Sequence, residues 1–168
     1  MVIIVMGVSG AGKTTVGSLL ARRLNWIFRD GDEFHPAANV EKMRSGIPLT
    51  DTDREPWLKA IHEFAVHSSM RSQSVIIACS ALKEGYREIL RGGLPDVHFV
   101  HLAGTRDLLA GRMARRTDHF MPPTLLASQL ATLEVPTDAL NIDIVHSPEE
   151  IVSQIIERLG ISQFILNT

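Results

Sequence analysis

The chain has 168 residues, 17 of them Lys or Arg and 19 Asp or Glu, for a formal charge of −2. That length suits one domain with a full core and is too short for two large ones, and the charge balance lacks the basic footprint of a nucleic-acid binder. A single cysteine, Cys79, excludes an internal disulfide and fits a reducing compartment; no apolar run approaches the roughly 18 residues of a membrane span, so the expectation is a soluble cytoplasmic α/β protein without membrane or nucleic-acid partners.

The opening run Met1-Val2-Ile3-Ile4-Val5-Met6 is continuously apolar, as a strand buried on both faces is. It is too short for a span and has no basic leader, which also argues against a signal peptide. Next comes Gly7-Val8-Ser9-Gly10-Ala11-Gly12-Lys13-Thr14, which fits the spacing G-x-x-x-x-G-K-[ST]. Successive backbone N–H groups turned inward wrap a triphosphate tail, and glycine tolerates the angles and the close approach. Gly7, Val8, Ser9, Gly10, Ala11, Gly12, Lys13, Thr14 and Thr15 are therefore assigned to a nucleoside triphosphate. Lys13 is placed to reach the β- and γ-phosphates, and the Thr14 hydroxyl to ligate Mg²⁺. Val16, Leu19, Leu20 and Leu24 then recur at helical spacing, so a helix N-terminus faces the phosphates.

Trp26 to Asp30 reads as a second strand, ending in Asp30-Gly31-Asp32 with Glu33 and His35 beyond. Two carboxylates one residue apart in an extended segment face different ways, one toward a metal and the other toward an acceptor substrate. The same residues also suit a helix start, since Asp is a good cap and Pro36 fits a first helical position. A short helix is expected over 36–44, with Val40 and Met43 on its buried face and Gly46 as a stop. Pro48 to Trp57 reads as a polar turn opening another helix, whose buried stripe is Trp57, Ile61 and Phe64. Arg54 near that helix start answers either to an anionic ligand or to Asp51 or Asp53.

Ser74 to Cys79 is a third strand, with Ser80 as the expected cap of a helix carrying Leu82, Tyr86, Ile89 and Leu90 on one face. No carboxylate ends this strand, so Asp30 is the candidate acid for the metal. Lys83 and Arg87 fall one turn apart, on either a solvated face or a face meeting an anionic substrate. Val97 to Leu102 is a fourth strand. The helix after it brings Arg112, Arg115 and Arg116 close together, a cluster that repels itself unless something anionic sits among them. Thr117 to Pro123 breaks that helix in a way suited to a mobile lid. Leu125–Leu133 is a short helix, Asn141–His146 a last strand, and Ser147-Pro148-Glu149-Glu150 a capping box with proline at the first helical position. His62 and His67 lack zinc spacing, and His98 and His101 lie on opposite strand faces, so no zinc site is expected.

Narrower strings follow the loop. Asp30-Gly31-Asp32-Glu33-Phe34-His35-Pro36, Asn39 to Met43, Ser45 to Leu49, Asp53 to Leu58, and Cys79 to Arg87 resemble the bacterial gluconokinases of the thermoresistant type, and Arg115-Arg116 with His119-Phe120 matches the lid of that family. Shikimate kinases are similar in fold and in the aspartate pair but lack these strings. The chain departs from the family pattern at Asp118 and at Met121-Pro122-Pro123. The resemblance implies a three-layer P-loop kinase fold, a five-stranded parallel sheet flanked by helices with a small mobile lid. It implies one domain over 1–168, with the lid at about 116–134 and an acceptor-binding helical segment at about 33–72. It further implies transfer of the ATP γ-phosphoryl group to the 6-hydroxyl of D-gluconate, with Mg²⁺, in a cytoplasmic homodimer; the alternative is a kinase for another small hydroxy acid such as shikimate. On this expectation Lys13, Asp32 and Arg116 are catalytic, and Arg112 joins the ATP contacts. His35, Arg54, Lys83 and Arg87, with Asp32, bind the acceptor, and Thr14 with Asp30, through water, holds the metal.

Overall fold

The protein is described by a computed structural model covering residues 1–115 and 123–161. The expectations for Arg116, Asp118, His119, Phe120, Met121 and Pro122 lie outside the described residues. In chain order the elements are β1 (Val2–Met6), α1 (Lys13–Leu24), β2 (Ile27–Asp30), a 3₁₀ turn (Gly31–Phe34), α2 (Ala37–Arg44), α3 (Asp51–Met70) and β3 (Val75–Ala78). They continue with α4 (Glu84–Arg91), β4 (Val97–Ala103), α5 (Arg106–Ala114), α6 (Pro123–Thr132), β5 (Leu140–Asp143) and α7 (Pro148–Arg158).

The strands form one parallel sheet in the order β2-β3-β1-β4-β5. β1 lies at its centre, with Val2 paired to Val75 on one side and Val97 on the other. Its unbroken apolar sequence follows from that position, since both faces are covered. Ile3 and Val5 pack with α1 and α7 residues such as Val16, Leu20, Val152 and Ile155. Val2, Ile4 and Met6 point the other way, to Trp57, Leu58 and Ile61 of α3 and Leu90 of α4. The result is the expected three layers, helix on sheet on helix. Parallel strands deliver ligand groups at their carboxyl ends, so the segments after β1, β2, β3 and β4 share one edge of the sheet. No helix among the described residues is long and apolar enough to cross a membrane.

The departures from expectation are local. On α2 the buried residue is the polar Asn39, while Met43 stays exposed. Asn39 is satisfied there because its Nδ2 donates to the Asp53 carbonyl at 2.7 Å. α3 begins at Asp51, with Pro56 inside it, rather than after a turn running to Trp57. A capping box starts it: the Thr50 hydroxyl accepts from the Asp53 N–H and the Asp53 carboxylate accepts from the Thr50 N–H. Two satisfied terminal donors outweigh the single bond that proline removes in the second turn. Ser80 caps nothing; α4 starts later, behind Lys83. β5 ends at Asp143, before the expected His146.

Trp57 fixes the segment that carries the aspartates, its Nε1–H donating to the Gly31 carbonyl at 2.6 Å in the interior. Trp57→Phe keeps the aromatic bulk and removes that donor. Urea denaturation of this variant is expected to show a stability loss of about 1–3 kcal/mol, the cost of an orphaned buried acceptor; a midpoint equal to wild type contradicts the role.

Candidate active site

The loop from Gly7 to Gly12 joins the central strand to α1. Gly7 has φ +140°, and a Cβ there would lie 2.9 Å from the Leu102 carbonyl oxygen. Gly12 sits in left-handed conformation with φ +92° at the start of α1. Neither position accepts another residue without strain. Bonds from the Gly7 N–H to the Ser80 carbonyl (3.3 Å) and from the Ala11 N–H to the Val8 carbonyl (3.2 Å) set the curve of the loop. α1 has no side-chain cap and no acidic residue in its first turn. Its amino end therefore keeps the positive partial charge that attracts anions. The Lys13 ammonium donates to the Val8 carbonyl at 3.2 Å, which folds the side chain over the loop. α5 lays Arg112 beside it, with the guanidinium 3.7 Å from where a Cβ on Gly12 would be and donating to the Ile144 carbonyl at 2.5 Å. Arg115 is the C-cap of α5 and is exposed. From the other side Gln129 of α6 accepts a bond from the Ser9 N–H at 2.6 Å.

Asp32 lies in the 3₁₀ turn that Asp30 caps rather than in the extended chain expected. The Thr14 hydroxyl donates to Asp30 Oδ2 at 2.8 Å. Asp30 Oδ1 accepts from the Asp32 N–H at 3.1 Å, and the Glu33 carboxylate accepts from the Asp30 N–H. Asp30 thus serves as cap and as partner of Thr14 together. A hydroxyl and a carboxylate are hard oxygen donors, which fits Mg²⁺. The described residues contain no cluster of three or more His, Cys, Asp or Glu able to hold a metal. A site of this kind leaves most coordination positions to water and phosphate, which is the habit of Mg²⁺.

The Asp32 side chain is 83% exposed, with His35 Nε2 4.0 Å away. His35 stacks on Trp57 with ring centroids 4.3 Å apart. Burial pushes its imidazole below the ordinary value; the Asp32 carboxylate opposes that shift and the Arg54 cation adds to it. Arg54 points its guanidinium toward the Tyr86 ring, 5.9 Å from the centroid, and donates to the Leu49 carbonyl. It pairs with neither Asp51 nor Asp53. Asp53 belongs to Lys42 at 2.7 Å and to Thr50, which hold its carboxyl down at about 2. Asp51 belongs to Lys83, whose ammonium donates to both carboxylate oxygens at 2.7 and 2.9 Å, and to the Tyr86 hydroxyl.

Arg87 is placed differently from the expectation. It is 1% exposed and donates to the Glu84 carboxylate and to the Ala81 and Leu82 carbonyls. The i, i+4 spacing misled because Lys83 precedes α4 instead of lying on it. Arg87 fastens the turn after β3; it does not reach the open face where Asp32 and Arg54 stand. Sequence reasoning missed Asp51, Tyr86 and Gln129 as members of the site. The Thr50-x-x-Asp53 spacing was the available signal for the first, since it fixes where α3 starts. A cavity of about 310 Å³ near Met1, Gln73 and Asp96 lies at the opposite end of the strands and holds none of this chemistry.

A glycine loop, a lysine at the head of its helix and an acidic segment beside them on a 2-3-1-4-5 parallel sheet define a phosphate-loop kinase. The family model described as shikimate kinase matches residues 9–160. A gluconokinase of Gluconobacter oxydans is 54% identical over 136 residues, covering 81% of this chain and 76% of the relative. The thermoresistant gluconokinase of Escherichia coli is 42% identical, covering 92% and 90%. The crystal structure of a gluconokinase from Sinorhizobium meliloti superposes with a TM-score of 0.82 at 43% identity over 94% of each chain. The chain belongs to the gluconokinase family, within the wider group that the shikimate kinase model describes.

Arg87→Met keeps the aliphatic stem and strips the donors. It is expected to lose about 1–3 kcal/mol in a denaturant titration, because two backbone carbonyls and Glu84 lose their partner. A variant as stable as wild type but with a raised KM for the acceptor returns Arg87 to the binding surface.

Proposed function

We propose that this protein transfers the γ-phosphoryl group of ATP to the 6-hydroxyl of D-gluconate, giving 6-phospho-D-gluconate and ADP. The observation that carries the reading is the Thr14–Asp30 hydrogen bond. It ties the head of the phosphate-loop helix to the segment where Asp32 stands open, so donor and acceptor ends share one edge of the sheet. The names of the relatives at 42–54% identity give the acceptor.

Phosphoryl transfer is chiefly positioning and charge stabilisation. The gluconate 6-oxygen forms a bond to the γ-phosphorus, the bond from that phosphorus to the β,γ-bridging oxygen breaks, and the hydroxyl proton leaves through Asp32 to solvent. In this account the loop amides from Gly7 to Thr15 hold the triphosphate. Lys13 and Arg112, with Arg116 from the lid, offset negative charge on the moving group. Asp32 accepts a hydrogen bond from the attacking hydroxyl and aims it. Arg54 grips the acceptor carboxylate, for which a planar guanidinium is suited. His35, kept neutral by burial, offers hydrogen bonding rather than charge. Thr14 and, through water, Asp30 would hold Mg²⁺, which would supply positive charge to the phosphate oxygens. Residues 33–72 form the acceptor side and 116–134 the lid. A homodimer in the cytoplasm belongs to the same proposal and rests on the family resemblance.

A coupled ADP-release assay across sugar acids and shikimate tests the reading. Gluconate is expected to be the productive acceptor. Asp32→Asn is expected to lose on the order of 10²-fold in kcat, and Arg54→Ala to raise the KM for gluconate while leaving that for ATP alone. Turnover of shikimate in place of gluconate favours the alternative acceptor and contradicts the reading.

A further inference from the structure

Around the Tyr86 ring the structure gathers more charge than a single carboxylate requires. Arg54 lies 5.9 Å from the ring centroid and Lys83 5.6 Å. The two cations are not equivalent. Lys83 commits two bonds to Asp51, across 32 residues of sequence. Asp51 also takes the Tyr86 hydroxyl. The only hydrogen-bond partner of Arg54 among the described residues is the Leu49 carbonyl. The other groups nearby are already matched or uncharged. Asp53 is taken by Lys42 and Thr50, Glu84 by Arg87, and His35 is held toward its neutral form. Asp32 lies 4.0 Å from His35 Nε2.

We propose that Asp51 is a specificity-determining residue of the acceptor pocket: it offsets the charge of Lys83, fixes that side chain against Tyr86, and leaves Arg54 as the cation at that ring without an ion pair among the described residues, matched to an acceptor with a single carboxylate. The inference rests on the acceptor reading above and deepens it. Without the Asp51 charge, Lys83 becomes a second carboxylate reader and the pocket over-favours anions. Without Lys83, the Asp51 charge sits bare beside Arg54 and weakens its grip. The carboxylate is 62% exposed and the Lys83 side chain 33%, so neither holds the core together.

The test compares binding of gluconate with binding of the six-carbon polyol in which a CH₂OH replaces the carboxylate. Calorimetry on the full chain with a non-hydrolysable ATP analogue reads the ratio of the two dissociation constants. Asp51→Asn keeps an acceptor oxygen for Tyr86 and removes the charge. It is expected to raise the preference for the acid about fivefold, the effect of one partly solvated charge at this range. Lys83→Met is expected to lower it by a similar factor. The double variant, Asp51→Asn with Lys83→Met, is expected to return to within about twofold of wild type, as it removes two charges that cancel. A double variant as poor as Lys83→Met alone makes Lys83 the direct reader and overturns the proposal. An Asp51→Asn preference equal to or below wild type overturns it too. Because the readout is binding, it stands apart from the assay above: wild type that releases no ADP with gluconate sinks the acceptor reading, whereas a failed double-variant rescue sinks the role of Asp51 alone.

Discussion

A hydrogen bond from the Thr14 hydroxyl to the Asp30 carboxylate joins the two halves of the site. β1, which leads into the loop and α1, and β2, which ends at Asp30, are not neighbours; β3 runs between them. α1 bridges the gap by packing over both β2 and β3, which brings Thr14 on its first turn to the end of β2. The close approach depends on small residues. A Cβ on Gly17 would lie 2.7 Å from the Phe28 ring, and one on Gly31 would lie 2.6 Å from the Ala78 carbonyl oxygen. The same oxygen pair that locks helix to strand in the free protein has the chemistry to receive a divalent cation. Structure and cation chemistry therefore draw on one pair of atoms.

Charge is distributed along this edge in a graded way. The loop end is strongly positive, from helix amides, Lys13 and Arg112. In the middle stands Asp32, open to solvent and close to an imidazole that burial keeps from charging. At the far end most ions are matched in pairs: Lys42 with Asp53, Lys83 with Asp51, Arg87 with Glu84. Arg54 is the exception. On the proposed reading, a long, hydroxylated acid with one carboxylate matches this order, with its carboxylate at Arg54 and its terminal hydroxyl at Asp32. The segment after α6 also touches the acceptor side, since the Glu134 N–H bonds the Leu82 carbonyl and the Glu134 carboxylate accepts from the Glu84 N–H. The base of the proposed lid is thus fastened to the turn that carries Lys83.

The sheet and the loop were legible in the sequence because their signals are local. An apolar run, fixed glycine spacing and a 3.6-residue period need no knowledge of distant partners. The alternative reading of Asp30 as a helix cap was legible for the same reason, although the cap opens a 3₁₀ turn. What escaped is long-range pairing. Arg87 looked like a surface cation four residues from Lys83, yet it is buried, because the start of α4 shifted and Glu84 with two carbonyls was there to take it. Asp51 was read as a possible partner of Arg54, and its tie to Lys83 depends on how α3 crosses α4. Asn39 reversed the expected face of α2 because a backbone carbonyl of α3 satisfied it. In each case a polar partner from another element decided the outcome, and spacing along one element carries no information about such partners.

The central claim is spatial: loop, metal donors and Asp32 converge on one hydroxyl of one sugar acid. A crystal structure with a non-hydrolysable ATP analogue and D-gluconate bound measures it directly. The account predicts the gluconate 6-oxygen within hydrogen-bond reach of Asp32, about 2.6–3.2 Å, and facing the γ-phosphorus, with the carboxylate at Arg54. A gluconate bound with its carboxylate toward the phosphates, or with the 6-oxygen remote from Asp32, contradicts it.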